Sequence, residues 1–134
     1  MTVIDVTILD IRRRVAAGVE WLDANDPGWW KADQPGCGSE GGPIDLDALV
    51  MSHACYCVLG QRLGSMWNAP LTVDQAVELG FDTAVGAEMD VDRYNDSAEY
   101  AGRARRARDD EFDALTAEWR RCIEARRSAA EVPA

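Results

Sequence analysis

Residues 97–127 read SAEYAGRARRARDDEFDALTAEWRRCIEARR, and their apolar residues recur at three- and four-residue steps. Such spacing gathers apolar side chains into one stripe along an α-helix. Asp96 and Ser97 provide polar side chains at the expected start of this helix. We therefore predict a long C-terminal helix that ends near Arg127, with a frayed tail over residues 128–134. Its inner stripe is predicted to consist of Tyr100, Ala104, Ala107, Phe112, Leu115, Trp119 and Ile123.

An N-terminal helix is predicted from Thr7 to Ala24. Asp26-Pro27-Gly28 should end it, because proline cannot continue a helix and glycine readily adopts a turn conformation. The expected buried face of this helix has the same three- and four-residue spacing and consists of Ile8, Ile11, Val15, Val19 and Leu22.

Two shorter helices are predicted in the middle of the chain. Ser52 is a credible N-cap for a helix over residues 53–63. Thr72-Val73-Asp74-Gln75 has the spacing of a capping box and opens a helix that Gly80 should end, with Phe81 packing back against it.

The segments between these helices lack periodicity. Residues 31–43 are rich in glycine and polar residues, and residues 82–96 form an acidic connection. Residues 44–51 fit either one helical turn or a short extended piece. No pattern argues for a sheet. The sequence thus predicts an all-α fold, a compact single domain of about four helices over residues 1–127, with two irregular loops.

Charge limits the classes of partner. The 134-residue chain has a net charge of −10, which residues 1–96 supply with sixteen acids against six bases. Direct nucleic-acid binding is disfavoured, since it needs a basic face. A basic protein partner is one interpretation of this acidity, and solubility alone is another. No apolar run reaches membrane-spanning length and the first residues do not resemble a signal peptide, so we expect a cytoplasmic protein without membrane contact.

Cys37, His53, Cys55 and Cys57 form the one cluster with the ligand types of a Cys₃His zinc site. An extended segment would place the last three on one side, whereas a helix would bring only His53 and Cys57 together. Buried structural cysteines and a disulfide from Cys37 are the alternatives. We predict no cofactor, with zinc as the alternative.

Catalysis is not expected. His53 could act as a base for Cys57 one helical turn later, but nothing in the sequence indicates an oxyanion hole or an orienting group.

Five tryptophans are many for this length, and aromatic residues anchor interfaces as well as cores. Trp29 and Trp30 are adjacent after a turn, so we expect at least one to be exposed for a partner, with burial of both as the alternative. The predicted function is therefore protein–protein binding, either to another protein or in a homodimer. An acidic mimic of nucleic acid is a variant of this hypothesis.

Several short strings resemble a group of small proteins from actinobacteria and their phages that has no established activity. These strings are Pro27-Gly28-Trp29-Trp30, residues 44–49, residues 57–61, residues 76–82 and residues 115–120. The resemblance covers most of residues 15–127 and implies no catalytic or binding residue. It implies a context, namely an accessory protein of a phage or mobile element that binds a host protein.

Overall fold

The structure is a computed structural model that describes residues 7–36 and 41–131. Within these ranges every regular element is a helix and there is no strand, which confirms the predicted all-α class. None of the helices in the described ranges has both the length and the apolar character needed to cross a membrane. The elements are α1 (Ile8–Asn25), α2 (Val58–Leu63), a 3₁₀ turn (Met66–Asn68), α3 (Val73–Glu78), α4 (Ala84–Glu88), α5 (Val91–Asp96) and α6 (Ala98–Glu131).

Helix α6 is the element on which α1, α4 and α5 pack. The Ser97 hydroxyl accepts the Tyr100 amide proton at its start, and the helix continues to Glu131, four residues beyond the predicted end. The predicted inner stripe is largely confirmed, since only Ala107 and Phe112 are half-buried. Its buried members are Tyr100, Ala104, Leu115, Trp119 and Ile123.

Helix α1 begins at the predicted cap, where the Thr7 hydroxyl accepts the Asp10 amide proton. Ile11, Val15 and Leu22 are buried as predicted, but Ile8 is 54% exposed. Gly18 allows a close approach of neighbouring elements, because a Cβ there would lie 2.0 Å from the Leu79 carbonyl oxygen.

Three aromatic residues form the centre of the core. The Phe81 and Trp119 rings stack with centroids 5.2 Å apart, and Trp29 meets Trp119 edge-on at 5.7 Å. The Trp119 indole N–H donates to the Gly80 carbonyl at 2.7 Å. Helix α3 has the predicted capping box, and Gly80, with φ of +74°, turns the chain so that Phe81 is fully buried. The prediction for this helix is confirmed.

The long irregular segment between α1 and α2 is held by Arg62, whose side chain is 1% exposed. Its guanidinium donates twice to the Asp26 carboxylate, at 2.7 and 3.0 Å. Three further hydrogen bonds run to the carbonyls of Gln34, Pro35 and Gly42. The Arg62 side chain thus provides hydrogen-bond donors for three backbone carbonyls that lie outside any helix or sheet.

Arginines of α6 hold the same segment from the other side. Arg127 donates to the Trp30 and Ile44 carbonyls at 2.7 and 2.6 Å, and Arg120 donates to the Leu46 carbonyl at 3.0 Å. Within residues 44–51 a turn forms over residues 46–48, in which the Ala48 and Leu49 amides donate to the Asp45 and Leu46 carbonyls. The Asp45 carboxylate accepts the Asp47 amide proton at 3.0 Å, so the structure favours the predicted single turn over the extended alternative. The core of the fold therefore extends beneath this loop.

The predicted helix over residues 53–63 is wrong in its first half. Residues 51–57 form turns, and α2 begins only at Val58, with Cys57 rather than Ser52 as its N-cap. The Ala54 carbonyl is used elsewhere, since it accepts the Met66 amide proton at 2.8 Å. This contact ties the turns to the end of α2.

The acidic connection over residues 82–96 is not irregular, because it contains α4 and α5 and raises the helix count above four. Buried Glu111 of α6 accepts the amide protons of Ala84 and Val85 at the start of α4. Glu111 also pairs with buried Arg14 at 2.7 Å. A tertiary contact thus supplies the cap that the local sequence of α4 only partly provides.

Candidate protein-binding surface

The cysteine cluster is not brought together as a metal centre. Cys37 lies outside the described residues. His53 and Cys55 are exposed, and the His53 Nδ1 accepts the Cys55 amide proton at 3.1 Å. Within the described part of the chain, no group of three or more candidate ligands has the geometry to hold a metal ion.

Cys57 has a structural role at the start of α2. Its sulfur accepts the Gly60 amide proton at 3.2 Å, and the side chain is fully buried. Burial raises the pKa of the Cys57 thiol to about 11, more than the nearby amide donors lower it. The residue is therefore a neutral thiol at neutral pH, whereas nucleophilic attack needs the thiolate.

The predicted tryptophan pair is divided between core and surface. Trp29 is fully buried, and its indole N–H donates to Asp23 at 3.0 Å. Trp30 is half-buried, with the Lys31 ammonium 5.9 Å from its ring centroid. Trp29 therefore offers no accessible contact surface, which corrects its assignment as a partner-binding residue.

Trp67 is the exposed tryptophan, with 76% of its surface accessible. Gly64, with φ of +87°, ends α2, and the Ser65 hydroxyl accepts the Trp67 amide proton at the start of the 3₁₀ turn. The Asn68 side chain donates back to the Leu63 carbonyl at 2.9 Å. These contacts hold the turn at both ends while leaving the indole in solvent.

A small cleft of about 60 Å³ lies beside Trp67, and we call it the Trp67 cleft. Its lining is apolar except for Thr72 and Asp82 and includes Leu59, Met66, Leu71 and Val73. Val73, in the first turn of α3, is 55% exposed. The cleft therefore forms where the 3₁₀ turn meets α3.

A second, larger cleft of about 270 Å³, the Pro70 cleft, adjoins the first. Trp21, Leu59, Leu63 and Pro70 form its apolar wall. The two clefts share Leu59, and Pro70 lies in sequence between two lining residues of the Trp67 cleft. We refer to the two clefts and the exposed Trp67 and Val73 together as the Trp67 surface.

Asp82 is the one charged lining residue of the Trp67 cleft. Its Oδ1 accepts the Thr83 amide proton at 2.7 Å. Burial raises the pKa of Asp82 and the Glu111 carboxylate adds to the rise, while the Thr83 hydrogen bond and the charges of Arg108 and Arg14 oppose it. The charged form of this carboxylate is thus less favourable than in water.

The stretch of chain that contains Trp67 and Asp82 is acidic in sequence. Between Arg62 and Arg93 the chain contains no basic residue. The same stretch contains six acids, which are Asp74, Glu78, Asp82, Glu88, Asp90 and Asp92.

Comparison of the chain with protein-family models, with curated proteins and with solved structures gives no match in any of the three. The resemblance to actinobacterial and phage proteins stays a prediction. Sequence reasoning missed Trp67 as a candidate contact and did not single out Asp82 within the acidic connection over residues 82–96. A signal for Trp67 was present, because Gly64-Ser65 precedes it and Asn68-Ala69-Pro70 follows it, and such turn residues are typical of exposed positions.

Proposed function

We propose that this chain is a non-enzymatic protein-binding domain and that the Trp67 surface is its contact site. The observation that carries the proposal is the exposure of Trp67. The fold buries Trp29, Trp119 and Phe81 completely, yet leaves the Trp67 indole 76% accessible beside two apolar clefts. Tryptophan is enriched among the few residues that dominate binding energy at interfaces.

The surroundings of Trp67 also support a binding role. A large exposed aromatic residue lowers solubility, and apolar patches rimmed by polar residues mark interaction sites. The two neighbouring clefts offer recesses for side chains of a partner, and binding energy concentrates in well-packed recesses. The partner proposed is another protein, and the resemblance to phage proteins favours a host protein.

The alternative functions have less support. A zinc domain would need the Cys57 sulfur as a ligand, but this sulfur is buried and accepts the Gly60 amide proton as the N-cap of α2. An acidic mimic of nucleic acid would contact its target mainly through carboxylates, whereas the most exposed large side chain at the proposed site is an indole. No specific observation favours either alternative.

The proposal is tested by site-specific photo-cross-linking in living host cells. A photoreactive amino acid is placed at Val73, inside the Trp67 surface, or at Val91 of α5, which is 62% exposed outside it. We expect a discrete heteromeric product from position 73 and none from position 91. The cross-linked protein is then identified and purified, and its affinity is measured by calorimetry.

Trp67→Ala should weaken that affinity by about 30-fold, as expected for a hot-spot residue worth about 2 kcal/mol. Val91→Ala is the matched control and should leave the affinity unchanged. Equal cross-linking from both positions, or full affinity of Trp67→Ala, would contradict the proposal. A cross-linked product of two copies of this chain would identify the partner as a second copy of the chain rather than a host protein.

A further inference from the structure

Asp82 is the one buried or half-buried acid of the described ranges that has no arginine partner. Five acids there are buried or half-buried: Asp10, Asp26, Asp82, Glu111 and Glu118. Four of them have an arginine partner within 4.0 Å. Asp82 has no ion pair within the described residues, and the Thr83 amide is the one donor that contacts its carboxylate there. Its charge is therefore shielded from water without being neutralised.

The neighbouring cations are already engaged or distant. Arg14 pairs with Glu111 and Asp10, and toward Asp82 it donates to the backbone carbonyl at 3.2 Å rather than to the carboxylate. Arg108 affects Asp82 through its charge, but it forms no ion pair with it within 4.0 Å. The stretch between Arg62 and Arg93 adds acids and no base. The charge that complements the Trp67 cleft is thus positive.

Trp67 supplies a second element of cation recognition. An ammonium or guanidinium group over an indole face is attracted by the ring quadrupole, and the attraction grows when water is excluded. The side chains of lysine and arginine also have apolar stems that pack on apolar surface while the charged end contacts polar groups. Leu59, Met66 and Val73 offer such a surface beside Asp82.

The Pro70 cleft has a different chemistry. Asp26 and Arg62 on its lining are paired with each other at 2.7 Å, so they present no unbalanced charge. Its volume of about 270 Å³ and its wall of Trp21, Leu63 and Pro70 suit an apolar side chain. Because the two clefts share Leu59 but differ in charge, they suit two different side chains of one partner segment.

We propose that the partner of the Trp67 surface presents a lysine or arginine that lies between the Trp67 indole and the Asp82 carboxylate, next to a large apolar residue that enters the Pro70 cleft. This inference rests on the proposed function and specifies the chemistry of the partner. The occupant is thus a short basic, amphipathic segment of another protein.

A displayed library of random twelve-residue peptides tests the inference on the full chain. Peptides are selected on the wild-type protein after depletion on Trp67→Ala. We expect the survivors to carry a lysine or arginine within four positions of a large apolar residue. Replacing that basic residue by glutamine in the leading peptide should weaken binding at least about tenfold, as for a charge-assisted contact.

Asp82→Asn should weaken binding of the parent peptide by the same factor and leave binding of the glutamine peptide unchanged. The asparagine Oδ1 still accepts the Thr83 amide proton, so the local backbone contact is preserved. Asp113→Asn, at an exposed position of α6, makes the same change in net charge and should have no effect.

The outcomes separate the two proposals. Peptides that depend on Trp67 but lack a basic residue, or that bind Asp82→Asn as tightly as wild type, overturn this inference and leave the binding surface intact. The peptide substitution reports on wild-type protein, so the test holds even if a variant folds poorly. A selection that yields no peptide dependent on Trp67 contradicts the proposed function itself.

Discussion

Replacement of Arg62 by lysine tests how the irregular half of the chain is held. Arg62 uses all five of its N–H donors, two on Asp26 and three on the carbonyls of Gln34, Pro35 and Gly42. Lysine has three donors, so at least two of these acceptors lose their partner. A buried acceptor left without a partner costs about 1–3 kcal/mol. We therefore expect the free energy of unfolding to fall by about 2–6 kcal/mol.

Such a loss is a large part of the stability of an ordinary domain, which is about 5–15 kcal/mol. Urea unfolding followed by far-ultraviolet circular dichroism measures it, because the midpoint falls while the slope is unchanged. Arg62→Met should be worse than Arg62→Lys, since it also leaves the Asp26 carboxylate, 13% exposed, without its cation.

Arg103→Lys is the matched control. Arg103 pairs on the surface of α6 with Glu99, whose side chain is 83% exposed, and such pairs contribute about 0–1 kcal/mol. The reasoning is refuted if Arg62→Lys costs no more than this control. It is refuted equally if Arg62→Met is the more stable of the two Arg62 variants.

Two further predictions concern groups with a raised pKa. Because burial raises the pKa of Asp82, its ionised form destabilises the folded state, so Asp82→Asn should increase the melting temperature at neutral pH. The gain should disappear as the pH falls below the ordinary aspartate pKa, where wild-type Asp82 is protonated in the folded and in the unfolded state. Asp113→Asn should show no such gain. A lower melting temperature for Asp82→Asn than for wild type would contradict a destabilising charge at Asp82. For Cys57, a thiol pKa of about 11 predicts that iodoacetamide modifies exposed Cys55 in the native protein and Cys57 only after denaturation. Peptide mapping by mass spectrometry measures both cysteines, and equal rates in the native protein would show that Cys57 is not protected.

The helices that could be predicted from the sequence are those with local end signals. Helix α1 has Thr7 at its start, α3 has a capping box, and α6 has Ser97 and a long apolar stripe. In each case the signal and the contact it predicts lie within a few residues, so no knowledge of the tertiary structure was needed.

Helices α4 and α5 were missed although each has a local N-cap, Thr83 and Asp90. Each is only five or six residues long, and neither has the capping box that marks α3. Helix α4 also donates two amide protons to Glu111, which lies 27 residues beyond Ala84 in the chain.

Helix α2 begins at Val58 with Cys57 as its N-cap, and cysteine does not belong to the usual N-cap residues, whereas serine, present at Ser52, does. Local propensity therefore selected the wrong start, and the contact of Ala54 with Met66 determined the real one.

The candidate site shows the same division. Adjacency of Trp29 and Trp30 could not reveal which ring is buried, because the deciding contact is with Trp119, far along the chain. The exposure of Trp67 was implied by the turn residues around it. The role of Asp82 depends on a cleft assembled from α2, the 3₁₀ turn and α3, which no local pattern describes.

The aromatic centre of the core has a consequence for synthesis of the protein. Trp29, Phe81 and Trp119 come from three widely separated parts of the chain, and Trp119 contacts both of the others. A ribosome releases the chain from its N-terminus, so Trp29 and Phe81 emerge well before the ring on which they pack. Until α6 follows, the face of α1 that packs on α6 and the face of the Phe81 ring that stacks on Trp119 stay uncovered. The core is therefore completed only when the last helix appears, and during that interval chaperones and proteases compete for the nascent chain.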